Sequence, residues 1–440
     1  MIYIGCDDDT PCFSEEYMTQ YKDLSKEELS QIKAELVKAY DGYKAQGLSL
    51  DMSRGKPGKD QLDLSNEMND VLVSDSDYKC SNGMDVRNYG ILDGIPEAKA
   101  LFAELLEVES KNVIVCGSSS LNIMYDYIAQ CMIFGAGDKP WAGQEITFLC
   151  PAPGYDRHFG ILEHFGIKMV TVPMLEDGPD MDKIDELIKD ESVKGIFCVP
   201  KYTNPEGITF SDEVVRRFAA MKPAAKDFRV IWDNAYIIHD INDTPDSLLN
   251  IFEATKEYGS EDMFIEVTST SKISFPGAGI SALAASDNNI ADIKKRMTIQ
   301  IIGHDKINQL RHARYFKNVD GIREHMKKHA EIVRPKFEAV LKAFGNELGG
   351  LGIANWKDPN GGYFISLYVL PGTAKEVGRL CKEAGVVLTP VGATYPYGID
   401  PDNSNIRIAP TFPNVEELSK AVEILCVCIK LAAVNYLLGE

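Results

Sequence analysis

Five short segments concentrate the residue types that can do chemistry: Gly117-Ser118-Ser119-Ser120, Pro153-Gly154-Tyr155, Lys201 to Gly207, Asp233-Asn234-Ala235-Tyr236 and Ser269-Thr270-Ser271-Lys272. A lysine amine can condense with an aldehyde, and a carboxylate can pair with a protonated pyridine nitrogen. Serine hydroxyls and the free amides of a helix start can hold a phosphate. That combination suits one cofactor, pyridoxal 5'-phosphate. Each segment directly follows an apolar, strand-like run, and ligands of open α/β sheets bind at the carboxyl ends of the strands. Metal chemistry is the poorer alternative, because the seven histidines read as scattered.

Five motifs then recur in a fixed order: Tyr89 to Pro96 as Y-x-x-x-x-G-I-P, Asn204-Pro205-Glu206-Gly207 as N-P-x-G, Asp233 to Tyr236 as D-x-A-Y, Ser269 to Lys272 as S-x-S-K, and Arg407 within NIRIAP. With these motifs the chain resembles the fold-type I pyridoxal-phosphate aminotransferases, most closely a divergent aspartate-aminotransferase subgroup. The resemblance runs from about Gly55 to Pro413.

That resemblance implies a role for each matching residue. Lys272 is the Schiff-base lysine and the acid/base. Asp233 holds the pyridine nitrogen protonated, and Tyr236 and Asn204 bond the ring hydroxyl oxygen. Tyr155 stacks on the ring, while Ser118, Ser119 and Ser269 bind the phosphate. Tyr89 reaches the phosphate of a neighbouring subunit, which implies a homodimer with shared active sites. Arg407 grips the substrate α-carboxylate through a planar fork, and Gly55 lies close to the substrate. The implied reaction moves an amino group between an α-amino acid, aspartate-like for preference, and a 2-oxo acid such as 2-oxoglutarate.

Two positions depart from the family pattern. The phosphate-binding arginine expected eight residues after the lysine is Ile280, and Lys201 is the candidate to supply the missing charge. The threonine of the N-P-x-G motif is Glu206, a change expected to be harmless. A cation for a distal substrate carboxylate is also left open among Arg54, Arg87, Arg157, Lys306 and Arg311.

Other readings compete. A β-lyase or another α-carbon enzyme would keep the cofactor and change the product. A ligand-sensing regulator would need a basic helix-turn-helix segment, whereas the residues ahead of Gly55 read as acidic to neutral helix. The run Gly277 to Ala282 fits the G-x-G-x-x-A dinucleotide pattern, but that pattern has meaning only between a strand and a helix. Here Pro276 precedes it and the strand-like ISALAAS follows.

The elements that must position these residues show as alternating helical and apolar runs from about residue 95 to 290. The runs lack polar alternation, as strands covered on both faces do. The expectation is a mainly parallel α/β sheet sandwiched by helices, the large cofactor-binding domain at 65–315. A smaller α+β domain is expected from 1–64 together with 316–440. Its first helix opens with a capping box, Ser25-x-x-Glu28, and its last with Asn414-x-x-Glu417. Ile424 to Leu438 is the most apolar stretch, shorter than the roughly 20 residues that span a bilayer, and reads as a buried helix.

The 440 residues carry 46 Lys+Arg against 66 Asp+Glu, a net charge of −20 that speaks against nucleic acid as a main partner. The ten cysteines form no CxxC pair and read as reduced thiols of a cytoplasmic protein. The opening MIYIGCDDDT has no basic segment and does not read as a signal peptide.

Overall fold

The computed structural model describes residues 19–440, so MIYIGCDDDT lies outside the described residues. Its strands in chain order are β1 (Leu50–Asp51), β2 (Val113–Cys116), β3 (Thr147–Ala152), β4 (Lys168–Pro173), β5 (Val193–Cys198), β6 (Arg229–Asp233), β7 (Phe264–Ser269), β8 (Ser281–Ala285), β9 (Ala354–Trp356), β10 (Ile365–Val369), β11 (Val386–Val387) and β12 (Asn405–Ile408). Seven of them form one sheet in the order β2-β8-β7-β6-β5-β3-β4. The pairs from β7 to β4 are parallel, and β8 alone runs against its neighbours β7 and β2.

Every residue of β2, β3, β5, β6, β7 and β8 is buried. This is why their sequences lack polar alternation: helices cover both faces. On β5 the period-two alternation still sorts side chains between two cores. Phe197 joins one with Ile123, Tyr127 and Phe159, while Ile196 and Cys198 join the other with Ile184, Val214 and Phe218. Five of the strands that share one direction therefore deliver their carboxyl ends to one rim of the sheet: Gly117 after β2, Pro153 after β3, Val199 after β5, Asn234 after β6 and Thr270 after β7.

A second core gathers the chain's two ends. The helix Lys26–Lys44 places Leu29 and Tyr40 with Val340 and Phe344 of the helix Val319–Leu348 and with Leu425 and Ile429 of the helix Val415–Leu438. The three-stranded antiparallel sheet β12-β10-β9 and the parallel pair β1-β11 lie with it. Both capping motifs form: Ser25 and Glu28 bond reciprocally, and Asn414 accepts from the Glu417 amide. The last helix is longer than its apolar stretch suggested, 24 residues, because the cap at Asn414 starts it well before Ile424. It is long and apolar enough to cross a membrane, but its apolar side is spent on this core.

The dinucleotide-like run is a loop that leads into β8, so a strand and not a helix follows it directly. A Cβ at Gly279 would sit 2.9 Å from Thr270 Oγ1 and 3.0 Å from the Phe275 carbonyl oxygen, so close packing accounts for that glycine.

Candidate active site

The strand-end rim closes around a cavity of about 270 Å³. Gly55, Ser119, Tyr155, Asn204, Asp233, Tyr236, Ser269 and Lys272 all line it, although they span more than two hundred residues of sequence. Burial sets their chemistry. It lowers the basicity of the Lys272 amine, which lies 5.0 Å from the Tyr236 ring centre and 5.8 Å from that of Tyr363. It pushes the Tyr236 phenol well above its ordinary range, helped by Tyr155 and Asp233, so that hydroxyl stays a proton donor. Tyr155 is raised to about 12 by burial and by Asp233 and Asp156.

Asp233 ends β6 as a side chain held at one oxygen only. His158 Nε2 lies 3.0 Å from Oδ2, while Oδ1 is buried with no hydrogen-bond partner among the described residues. His158 is fixed in turn by stacking on Phe197, ring centres 4.6 Å apart. An orphaned buried carboxylate oxygen is expensive unless something completes it, and a protonated pyridine nitrogen would. The lysine, the acid and the hydroxyls thus fit pyridoxal phosphate.

The end of the cavity that could hold a phosphate is built from a helix start and a serine cluster. Ser119 caps the helix Ser120–Phe134 by accepting from the Leu121 amide (3.2 Å). Ser269 and Ser271 hydroxyls lie 3.0 Å apart, and Ser271 donates to the Ser118 carbonyl (2.9 Å). Ser118 itself lies just behind, lining an adjoining cavity with Gly117 and His304 instead of the one that holds Lys272. Tyr89 is also outside the site: its side chain is on the surface, 78% exposed.

Lys201 is not the substitute cation. It turns away from the rim, pairing with Asp240 Oδ1 (2.9 Å) and donating to the Ile237 carbonyl (3.1 Å). Ile280 is buried in an apolar core, and its amide donates to Thr270 Oγ1 (2.9 Å). Glu206 is tied to the small sheet. Its buried Oε1 accepts from Ser366 Oγ and from Tyr368 Oη (2.7 Å), both on β10.

Arg407 stands at the cavity's edge, screened by Asn204. Its Nη1 donates to Asn204 Oδ1 (3.2 Å) and to Asp156 Oδ1 (2.8 Å), and its guanidinium lies 4.9 Å from the Phe364 ring centre. Phe364 also explains Gly55, since a Cβ there would come within 2.4 Å of the ring.

Sequence reasoning missed His158, Asp156 and Lys56. Lys56 and Lys272 are the only cations lining the cavity among the described residues, so none of Arg54, Arg87, Arg157, Lys306 and Arg311 does. The signal for Lys56 was its place beside Gly55, and for His158 its place one helical turn after Tyr155. The histidines are also less scattered than their numbering suggested. His325 and His329 stand four apart on one helix with Nε2 atoms 3.2 Å apart, bonded to Ser65, Gln61 and the Ile273 carbonyl. No cluster of three metal-ligating side chains occurs among the described residues.

Comparison with known proteins agrees with this geometry. A family model described as aspartate amino-transferase matches residues 24–440. The aspartate aminotransferase of Corynebacterium glutamicum is 44% identical over 418 residues, 94% of this chain and 96% of that protein. The crystal structure of an aspartate transaminase from Corynebacterium glutamicum superposes with a TM-score of 0.93 at 44% identity, covering 95% of this chain and 99% of that one. At 20% identity the fold is still shared with an alpha-aminoadipate aminotransferase of Thermus thermophilus, complexed with N-(5'-phosphopyridoxyl)-L-leucine (TM-score 0.72, covering 90% and 95%). The matched span takes in every segment that meets at the cavity: the chain belongs to the aspartate amino-transferase family, has its fold-type I architecture, and is an aminotransferase.

Proposed function

We propose that this aminotransferase binds pyridoxal 5'-phosphate at the Lys272 cavity and exchanges the amino group of aspartate with a 2-oxo acid such as 2-oxoglutarate. The observation that carries the reading is one cavity lined by both a buried, weakened lysine base and Asp233, whose Oδ1 has no hydrogen-bond partner among the described residues. The cofactor, when bound, supplies an electron sink and carries the amino group between the two substrates. Everything else falls to this chain's residues. Asp233 keeps a proton on the ring nitrogen by charge pairing, with its rotamer fixed by His158. Tyr236 donates to the ring oxygen and Asn204 orients it. Ser119, Ser269 and the start of the helix Ser120–Phe134 hold the phosphate dianion. Lys272, kept from water, moves the proton at the substrate Cα. Arg407 receives the α-carboxylate. Lys56 is the cation for a second carboxylate, which favours an acidic substrate.

The same reading gives a homodimer. Tyr89 is free to reach a neighbouring subunit. Ile133, Phe134, Ile299 and Ile302 keep apolar side chains on the surface, Ile299 90% exposed, with Arg296 lying over the Phe134 ring at 5.6 Å. Such surface supports a second copy covering it. The eight free cysteines of the described residues are all buried, which supports a cytoplasmic enzyme.

The test is chemical trapping. The purified yellow protein, reduced with borohydride, is expected to bleach and to carry the cofactor mass on the peptide containing Lys272. Lys272→Ala is expected to show neither the covalent mass nor turnover. An adduct mapped to another lysine would overturn the site assignment.

A further inference from the structure

Arg407 has a prior occupant. Asp156, the first residue of the helix Asp156–His164 and the neighbour of Tyr155, places Oδ1 2.8 Å from Arg407 Nη1. The same Nη1 donates to Asn204 Oδ1 at 3.2 Å, so both of its protons are committed. Nε makes only a long contact with Thr389 Oγ1 (3.4 Å), and Nη2 donates to nothing among the described residues. The Arg407 side chain is 7% exposed, whereas that of Asp156 is 31% exposed.

We propose that Asp156 is a resident stand-in for the substrate carboxylate, one that each substrate must displace from Arg407 before it is gripped. This rests on the reading that Arg407 receives the α-carboxylate. A fork binds a carboxylate well only through two adjacent donors. Seating the substrate across Nη1 and Nη2 therefore requires Nη1 to let Asp156 go. Leaving Asp156 in place would set two carboxylates against one partly desolvated cation, and like charges at such range repel strongly. Asp156 has somewhere to go. Its third-exposed side chain can turn to water, and there its charge still lies in the first turn of a helix, where a negative charge is favoured. The contact also serves the free enzyme, because a buried guanidinium without an anion is costly. The consequence is a tax on affinity: substrates bind only the fraction of molecules in which the fork is open, and the apparent constant weakens by that fraction.

The test uses the full chain loaded with cofactor and propionate, a carboxylate that cannot react, titrated by calorimetry. For a contact closed in about nine molecules of ten, an order-of-magnitude premise, Asp156→Asn binds propionate about tenfold more tightly than wild type. Asp156→Ser, which also removes the charge and suits a helix start, is expected to do the same. The KM values for aspartate and for 2-oxoglutarate are expected to fall together, with kcat changing less. Arg407→Lys is expected to weaken propionate binding. Propionate binding at the wild-type constant or weaker in both Asp156 variants, with Arg407→Lys still weakened, would overturn the displacement idea and leave the role of Arg407 intact. No change in any of the three would remove Arg407 from the carboxylate site altogether, and both readings with it.

Discussion

Lys56 carries the argument for an acidic substrate. It shares the cavity lining with Lys272 and sits 3.7 Å from the Phe412 ring centre, a contact that steadies an otherwise exposed ammonium. Lys56→Ala is expected to lower kcat/KM for aspartate by an amount worth about 1.5–3 kcal/mol, the scale of a hydrogen bond to a charged group. Alanine as amino donor should be nearly unaffected. Equal losses for both donors in steady-state kinetics would show that Lys56 does not read the second carboxylate. Residues of this kind escape a reading of the sequence for a physical reason. Asp233, Tyr236 and Lys272 are legible because each directly follows an apolar run, where a ligand meets an α/β sheet. Lys56 and Asp156 matter through partners far away in the chain, Phe412 and Arg407, and no local pattern marks such a pairing. Lys201 shows the opposite error. Its place after β5 is right for a ligand, yet Asp240 draws the ammonium to the far side.

At the scale of elements, β6 and β7 do most of the positioning, and one buried acid between them makes that pairing pH-sensitive. Glu266 on β7 accepts from Asn234 Nδ2 at 2.9 Å, immediately after the Asp233 that ends β6. Burial pushes Glu266 up to about 7 from 4.5, with Glu107 adding to the rise and the Asn234 bond opposing it. The folded protein therefore keeps a proton that the unfolded chain gives up at lower pH. Stability from this group is fully present below about 4.5 and is lost as pH rises towards 7, by about 3 kcal/mol in all. Glu266→Gln keeps the shape without the ionisation. In urea unfolding it is expected to gain on wild type between pH 5 and pH 8; parallel pH profiles for the two would contradict this. The strands and their helical cover are legible because buried parallel strands are uniformly apolar. The reversed direction of β8 is not, since its residues Ser281–Ala285 look like those of any covered strand.

For the whole molecule, charge and substrate oppose each other. A net charge of −20 gives anionic substrates no long-range attraction. In the proposed function recognition falls to a few local cations, the buried Arg407 at the edge of the site, Lys272 within it and the more exposed Lys56 on its lining. With Ile280 in the arginine position, a bound phosphate would be held by amides and hydroxyls at the start of the helix Ser120–Phe134. The outcome of the reaction is left to the orientation of the substrate at Lys272. The measurement that tests the account most directly is the fate of the amino nitrogen. Purified protein with bound cofactor is incubated with ¹⁵N-aspartate and 2-oxoglutarate, and the products are followed by mass spectrometry. A transaminase working through Lys272 puts ¹⁵N into glutamate, in equal amount to the oxaloacetate formed, and Lys272→Ala yields none. Release of the label as ammonia, with no labelled glutamate, would contradict this and point to a lyase.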